Sequence, residues 1–293
     1  MYYLIYPFLY LFSLLPFFVL YGISDSIAFL LCFVAGYRRK VVLQNLRIAF
    51  PEKTEKERRV IAWRFYRNFT DSFIETIKLL SISRKTLAKR ATSNFELLEN
   101  LFSAGKNVNI LCGHQFNWEY GYLAYTQQIK QPLVGVYIPV KNKAFNRIIN
   151  KIRGRFGGLL ITPDEFSKRM HNVVKSRYAL VLAADQSPAI PTSGYWINFF
   201  GRPTLFIAGP EKTAIRYKVA VIAFSFKKIK RGHYHFESVL LTEDAGTVSG
   251  RGQLTRLYRD VLEQSIQADP ANYLWSHKRF KFNWEPAYGK KLE

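Results

Sequence analysis

The stretch Gly113-His114-Gln115-Phe116-Asn117-Trp118-Glu119 places an imidazole near a carboxylate, the pair in this chain best suited to moving a proton. A carboxylate beside a histidine fixes its tautomer and stabilises the imidazolium formed when it takes a proton. That is the arrangement a general base needs to activate a hydroxyl. The spacing sets a condition. On a continuous helix His114 and Glu119 would stand roughly 140° apart, since each residue turns about 100°. They share a face only if a turn intervenes. Asn117 is a good N-cap, so His114 is expected in a strand-to-helix turn. Glu119 then sits in the first helical turn and folds back on the imidazole. H-x4-E is by itself a weak pattern, because a histidine near a strand end is more often structural. Its place at the carboxyl end of an early strand, where α/β sheets bind ligands, favours chemistry.

The elements that must position this pair follow from the spacing of apolar residues. From residue 107 short apolar runs alternate with amphipathic ones. Strands are predicted over 108–112, 133–140, 159–162, 179–184, 195–200 and 219–226, with an edge strand over 233–241. Helices are predicted over 118–128, 144–156, 164–175, 209–217 and 254–268. Such alternation implies an α/β fold: a central mixed, mostly parallel sheet with helices on both faces. Residues 38–92 read as a helical lead-in. Pro51 breaks it, and Thr54 with Glu57 resembles a capping box for the helix that follows.

Residues 1–37 contain no Lys or Arg and one acid, Asp25. The apolar run from Tyr2 to Tyr21 is long enough to cross roughly 30 Å of hydrocarbon as a helix. A polar break, Ser24-Asp25-Ser26, separates it from a shorter run, Ile27 to Tyr37, that suits an interfacial or re-entrant piece. A buried helix pair and a signal peptide are the competing readings, the latter without its usual basic start and cleavage site. The expected division is a membrane anchor or interfacial helices over 1–37 and a catalytic domain over 38–293. Arg38-Arg39-Lys40 follows directly, which by the positive-inside rule places that domain in the cytoplasm.

The net charge of +22, from 43 Lys and Arg against 21 Asp and Glu, calls for an anionic partner: nucleic acid, an anionic membrane face or an acidic carrier protein. The basic residues are scattered rather than gathered in a tail, which suits a broad electrostatic face. Aromatic residues at 16% are abundant, as they are where protein meets lipid headgroups. Cys32 and Cys112 belong to no metal-ligand spacing and read as small buried residues in a reducing compartment. His171, His233, His235 and His277 have no metal-like partners at close spacing, and His233 and His235 are expected on a solvated strand face. No metal or cofactor is expected. The chain also lacks a P-loop and a serine nucleophile elbow, which argues against a covalent enzyme intermediate.

The wider string His114-Gln115-Phe116-Asn117-Trp118-Glu119 resembles the H-x4-[D/E] motif of glycerolipid-type acyltransferases, in the form found in the lipid A biosynthesis acyltransferases (lauroyl and myristoyl transferases). Three more blocks in the same order resemble that family. They are Arg39-Lys40-Val41-Val42-Leu43-Gln44-Asn45-Leu46 with Phe50-Pro51, then Asp185-Gln186 with Phe199-Phe200-Gly201 and Gly209-Pro210, then Asn272 to Lys281. The resemblance implies that His114 deprotonates an acceptor hydroxyl and that Glu119 orients it. The hydroxyl would attack the thioester of acyl carrier protein or acyl-CoA, and the acceptor would be a lipid A precursor or related glycolipid. It further implies a bacterial inner-membrane location with the catalytic domain on the cytoplasmic side. Substrate-binding candidates are Asn117, Arg153, Arg155, Asp185 and Gln186. Asp185-Gln186 could position the acceptor, brace the base or merely cap a strand. Ile138 stands where the family often has Arg, which leaves a lysophospholipid or aminolipid acceptor open. A non-enzymatic basic protein that binds membrane or nucleic acid by charge is the alternative of another class, and it leaves the ordered blocks unexplained; nucleic acid is not an expected partner.

Overall fold

The computed structural model of the chain describes residues 1–173 and 177–292, with the side chains of 167 and 170–173 outside the description. The expectation for His171, and the end of the helix predicted over 164–175, lie outside the described residues. Helix α1 (Tyr2–Leu14) stops before Pro16, and α2 (Phe17–Phe29) runs on through a π-helical turn, Leu30–Val34. The break predicted at Ser24-Asp25-Ser26 therefore comes at Pro16 instead. Proline lacks an amide hydrogen and disfavours the helical conformation of the residue before it. The polar triplet stays helical because it has partners: Ser24 Oγ donates to Asp71 at 2.7 Å, and Asp25 pairs with Arg67 at 3.0 Å and Arg231 at 2.8 Å. Phe17–Val34 is a helical stretch long and apolar enough to cross a membrane.

Next come α3 (Arg39–Ala49) and α4 (Glu55–Lys78). The predicted capping box opens α4: Thr54 N donates to the Glu57 carboxylate at 2.7 Å, and Glu57 N donates back to Thr54 Oγ1 at 3.3 Å. Then follow α5 (Arg84–Arg90), β1 (Ala91–Ser93) and α6 (Glu96–Ser103). The α/β part runs β2 (Val108–Cys112), α7 (Trp118–Gln128), β3 (Leu133–Val136), α8 (Lys143–Arg153), β4 (Leu159–Ile161), α9 (Pro163–Val173) and β5 (Ala179–Ala183). It continues with β6 (Gly194–Phe199), β7 (Arg202–Ile207), α10 (Gly209–Tyr217), β8 (Ala220–Lys230), β9 (His233–Thr242), α11 (Gln253–Ala268) and β10 (Lys291–Leu292).

The main sheet has the order β1-β9-β8-β2-β5-β3-β4, and its neighbours are parallel except for the β8–β9 hairpin. The predicted edge strand, β9, is thus covered by β1, and His235 bonds to Thr92 on that neighbour at 3.0 Å. Alternate residues of β2 serve two cores. Leu111 packs with Val42, Leu46, Phe65 and Leu262 on one face, and Ile110 with Leu123, Ile148 and Ile152 on the other. Both faces are covered, as near-continuous apolar parallel strands require.

A second sheet, β10-β6-β7, takes the strand predicted over 195–200 away from the central sheet. Its hairpin turns at Phe200 and Gly201, both with positive φ, the backbone form that lets two residues reverse a twisted pair. The turn lifts the Phe200 ring against Phe50, centroids 5.4 Å apart, and toward Trp275 at 6.4 Å.

Candidate active site

Strands β2 and β5 are adjacent, parallel and in register, with Cys112 opposite Ala183. Two residues past that pair on each strand stand His114 and Asp185. The Asp185 carboxylate accepts the His114 backbone N–H at 2.9 Å and binds Nδ1 of the ring at 2.7 Å. Gln186 follows, its Nε2 amide 3.3 Å from His114 Nε2. An amide donor at Nε2 and a carboxylate at Nδ1 select one tautomer, with the proton on Nδ1 and the lone pair on Nε2. This is the form a base must have before it acts.

The charges agree with that arrangement. Burial by itself would raise the Asp185 carboxyl, but the neighbouring His114 charge, the two hydrogen bonds from His114 and the Arg279 guanidinium hold it at about 2. Burial would lower His114; the Asp185 charge and hydrogen bond outweigh it and raise the imidazole above its ordinary value, with Glu119 adding to the rise and Arg153 opposing it.

The Glu119 carboxylate, expected to fold back on the imidazole, makes no hydrogen bond to His114. It is taken by Arg153, with Nε and Nη2 contacts of 3.0 and 2.6 Å, and by Trp118 Nε1 at 3.0 Å. The physical reason is the pairing of β2 with β5, which places a carboxylate against Nδ1 before the helix begins. Asn117 is the predicted N-cap: its Oδ1 accepts from the amides of Glu119 and Tyr120 at 3.1 and 3.4 Å. It is fully buried, with Nδ2 donating to Glu75 at 3.0 Å, and does not line the cavity described next. Arg155 is also turned away: its guanidinium donates to the Leu79 carbonyl just past α4 and lies over the Phe156 ring.

A cavity of about 820 Å³ opens at His114 and runs between α7 and the carboxyl ends of the strands. Glu119, Arg153 and Gln186 share its wall with His114. The rest is chiefly apolar, including Val136, Leu160, Val181, Leu182, Phe224 and Phe226. Cys112, expected among the buried residues, lines this cavity as well, its thiol pushed up to about 12 first by burial and then by Asp185. Phe224 and Phe226 are not among the sequence-based candidates: the strand over 219–226 and their i, i+2 spacing are legible, but its pairing beside β2, which brings them to the cavity, is not.

Parts of the other blocks meet behind the His114 turn. Leu274 N donates to the His114 carbonyl at 3.0 Å. Asn45 Nδ2 binds the carbonyls of Trp275 and His277 at 2.8 and 2.7 Å, and Arg38 binds that of Ser276 at 2.8 Å. Arg279 is buried and donates to the Leu205 carbonyl and Ser187 Oγ, both at 2.8 Å. A Cβ at position 113 would lie 2.6 Å from the end of the Leu262 side chain of α11, so a larger residue before the histidine would have to displace that buried leucine.

Residues 1–282 match the family described as bacterial lipid A biosynthesis acyltransferase. The chain belongs to this family. Among characterised relatives, the acyltransferase is 21% identical over 269 residues to the lipid A biosynthesis lauroyltransferase of Escherichia coli (strain K12), covering 91% of this chain and 87% of that one. It is 22% identical over 248 residues to the lipid A biosynthesis palmitoleoyltransferase of the same organism, covering 83% and 79%. The same figures hold for a lipid A biosynthesis acyltransferase of Shigella flexneri. Membership accounts for the four blocks in order, and parts of each converge on the turn that carries His114: Asp185 and Gln186 bond to its ring, Leu274 to its carbonyl, and Asn45 to the segment that holds Leu274.

Proposed function

We propose that this acyltransferase moves a fatty acyl group from a thioester, carried by acyl carrier protein or coenzyme A, to a hydroxyl of a lipid A precursor or related glycolipid. The observation that carries the reading is His114, held on Nδ1 by Asp185 with Nε2 turned to a largely apolar cavity. The acceptor O–H gives its proton to Nε2 as its oxygen attacks the thioester carbonyl. The negative charge that develops on the carbonyl oxygen is met by Arg153, a guanidinium held in place by Glu119. Collapse of the intermediate breaks the C–S bond. The departing thiolate takes the proton from Nε2, giving an ester and a free thiol. Asp185 stabilises the imidazolium between the two transfers. In this reading Glu119 acts through Arg153, Gln186 supports Nε2, and the cavity receives the acyl chain.

The apolar amino terminus supports work at a membrane surface. Leu4, Phe8 and Leu11 form an exposed stripe on α1 at spacings of four and three residues, and Phe18 stands exposed on α2. Phe17–Val34 has the length to cross, but its middle is pinned to the polar α4 and the β8–β9 hairpin through Ser24 and Asp25. We infer that the segment lies along the interface with one face in lipid. The cluster Arg38-Arg39-Lys40 favours the cytoplasmic side of the inner membrane, where protection of the domain from external protease in right-side-out vesicles is expected.

The deciding experiment is mass spectrometry of total lipids from cells lacking the protein, complemented with wild type or His114→Ala. One glycolipid is expected to lose a single acyl chain, restored by wild type only, since loss of a general base costs about 10² to 10⁴ in rate. A shift in a lysophospholipid or aminolipid instead would move the acceptor; unchanged lipids throughout would overturn the assignment. Ile138, exposed on the cavity wall in place of a charged residue, is the observation that keeps an acceptor other than a lipid A precursor in view.

A further inference from the structure

A second cavity, of about 350 Å³, lies along α4 and shares no lining residue with the first. Its walls carry five cations, Arg64, Arg67, Lys228, Lys230 and Arg231, and two acids, Asp71 and Asp269. Some of this charge is paired internally. Arg231 binds Asp71 at 2.7 Å and Asp25 at 2.8 Å, Arg67 binds Asp25 at 3.0 Å, and Lys228 lies 3.7 Å from Asp71 and donates to Asn68 at 2.7 Å. Even with Asp25 included, five cations face three carboxylates. Among the described residues, Arg64 and Lys230 have no carboxylate partner and stand exposed at the rim. A concave site with surplus guanidinium and ammonium groups is built for a phosphate, whose oxygens take forked and point donors alike.

We propose that this cavity is a phosphate-binding site, separate from the catalytic cavity, and that its occupant is the headgroup of an anionic phospholipid. The phosphate chemistry stands on the charges just described. The lipid source rests on the reading that α2 lies along the membrane surface, because Asp25 and Tyr21 of that helix are bound to Arg231 of the cavity wall.

The test uses the full chain in neutral detergent, titrated with dihexanoyl phosphatidic acid, dihexanoyl phosphatidylcholine and inorganic phosphate, with binding read by native mass spectrometry. The variant Arg64→Gln/Lys230→Gln is compared with Lys130→Gln/Lys212→Gln, which removes the same charge from exposed positions outside both cavities. Wild type and the second variant are expected to prefer phosphatidic acid over phosphatidylcholine, and the rim variant to bind it at least tenfold more weakly with an unchanged melting temperature. Inorganic phosphate binding as tightly as the lipid would keep the phosphate site and assign it to free phosphate. Equal binding by the two variants, or no preference for phosphatidic acid in wild type, would overturn the proposal. His114→Ala should bind as wild type does, so failure of the catalytic reading and failure of this one are distinguishable.

Discussion

His114 stands between two neighbours that do opposite things to it. Asp185 holds the proton on Nδ1 and raises the basicity of the ring, while Arg153 nearby lowers it. Only the neutral imidazole can accept a proton, so the acid limb of kcat/KM is expected above the ordinary histidine value of about 6.5. Asp185→Asn removes the charge that raises His114. The limb should then move to lower pH while kcat falls about a hundredfold or more, because the tautomer is no longer enforced. A pH–rate profile of the purified pair of proteins checks both. A limb that stays in place would mean that Asp185 has only a structural role. The motif around His114 was legible because proton transfer restricts residue types and the N-cap restricts their order. The identity of its partner was not, since Asp185 lies 71 positions away and reaches the ring only through strand pairing.

At the scale of elements, the closing segment Tyr273–Arg279 has little regular structure and is held by side chains reaching to its carbonyls. Asn45 on α3 supplies two of these bonds in a buried position. Asn45→Ala leaves two carbonyl acceptors with a lost partner, at a cost of about 1–3 kcal/mol for such a group. Denaturant unfolding should show that loss, and kcat should fall as well because Leu274 supports the His114 carbonyl. An activity unchanged at equal destabilisation would separate the brace from the catalytic turn. The helices and most central strands could be read in advance from apolar period and capping residues, Thr54 and Asn117 among them. β7 could not, since Pro203 and the polar flanks Arg202 and Thr204 break the strand pattern that its pairing with β6 restores.

Across the whole molecule, charge and apolar surface are separated in sequence and joined in space. The exposed apolar side chains of α1 and α2 supply burial of roughly 1.5–3 kcal/mol for each large one that enters lipid. Phe8→Asp/Phe18→Asp is therefore expected to weaken binding to anionic vesicles by more than tenfold, as sedimentation would measure. Turnover of a short-chain, water-soluble acceptor should persist. Vesicle binding that is indifferent to these changes and falls only with salt would mean that charge, not the stripe, holds the protein to the membrane.

The sequence by itself determined the α/β class, the apolar amino terminus, the basic balance, the histidine turn and the family, because each depends on local period, composition or residues close together in the chain. Tertiary structure decided which carboxylate serves His114, that Glu119 serves Arg153, that Arg155 faces away, and that Asp25 stays within a helix. Those outcomes depend on which strands are neighbours and in what register. β3 and β4 come between β2 and β5 in the chain, yet β2 and β5 lie side by side in the sheet, and no local pattern of residues encodes that adjacency.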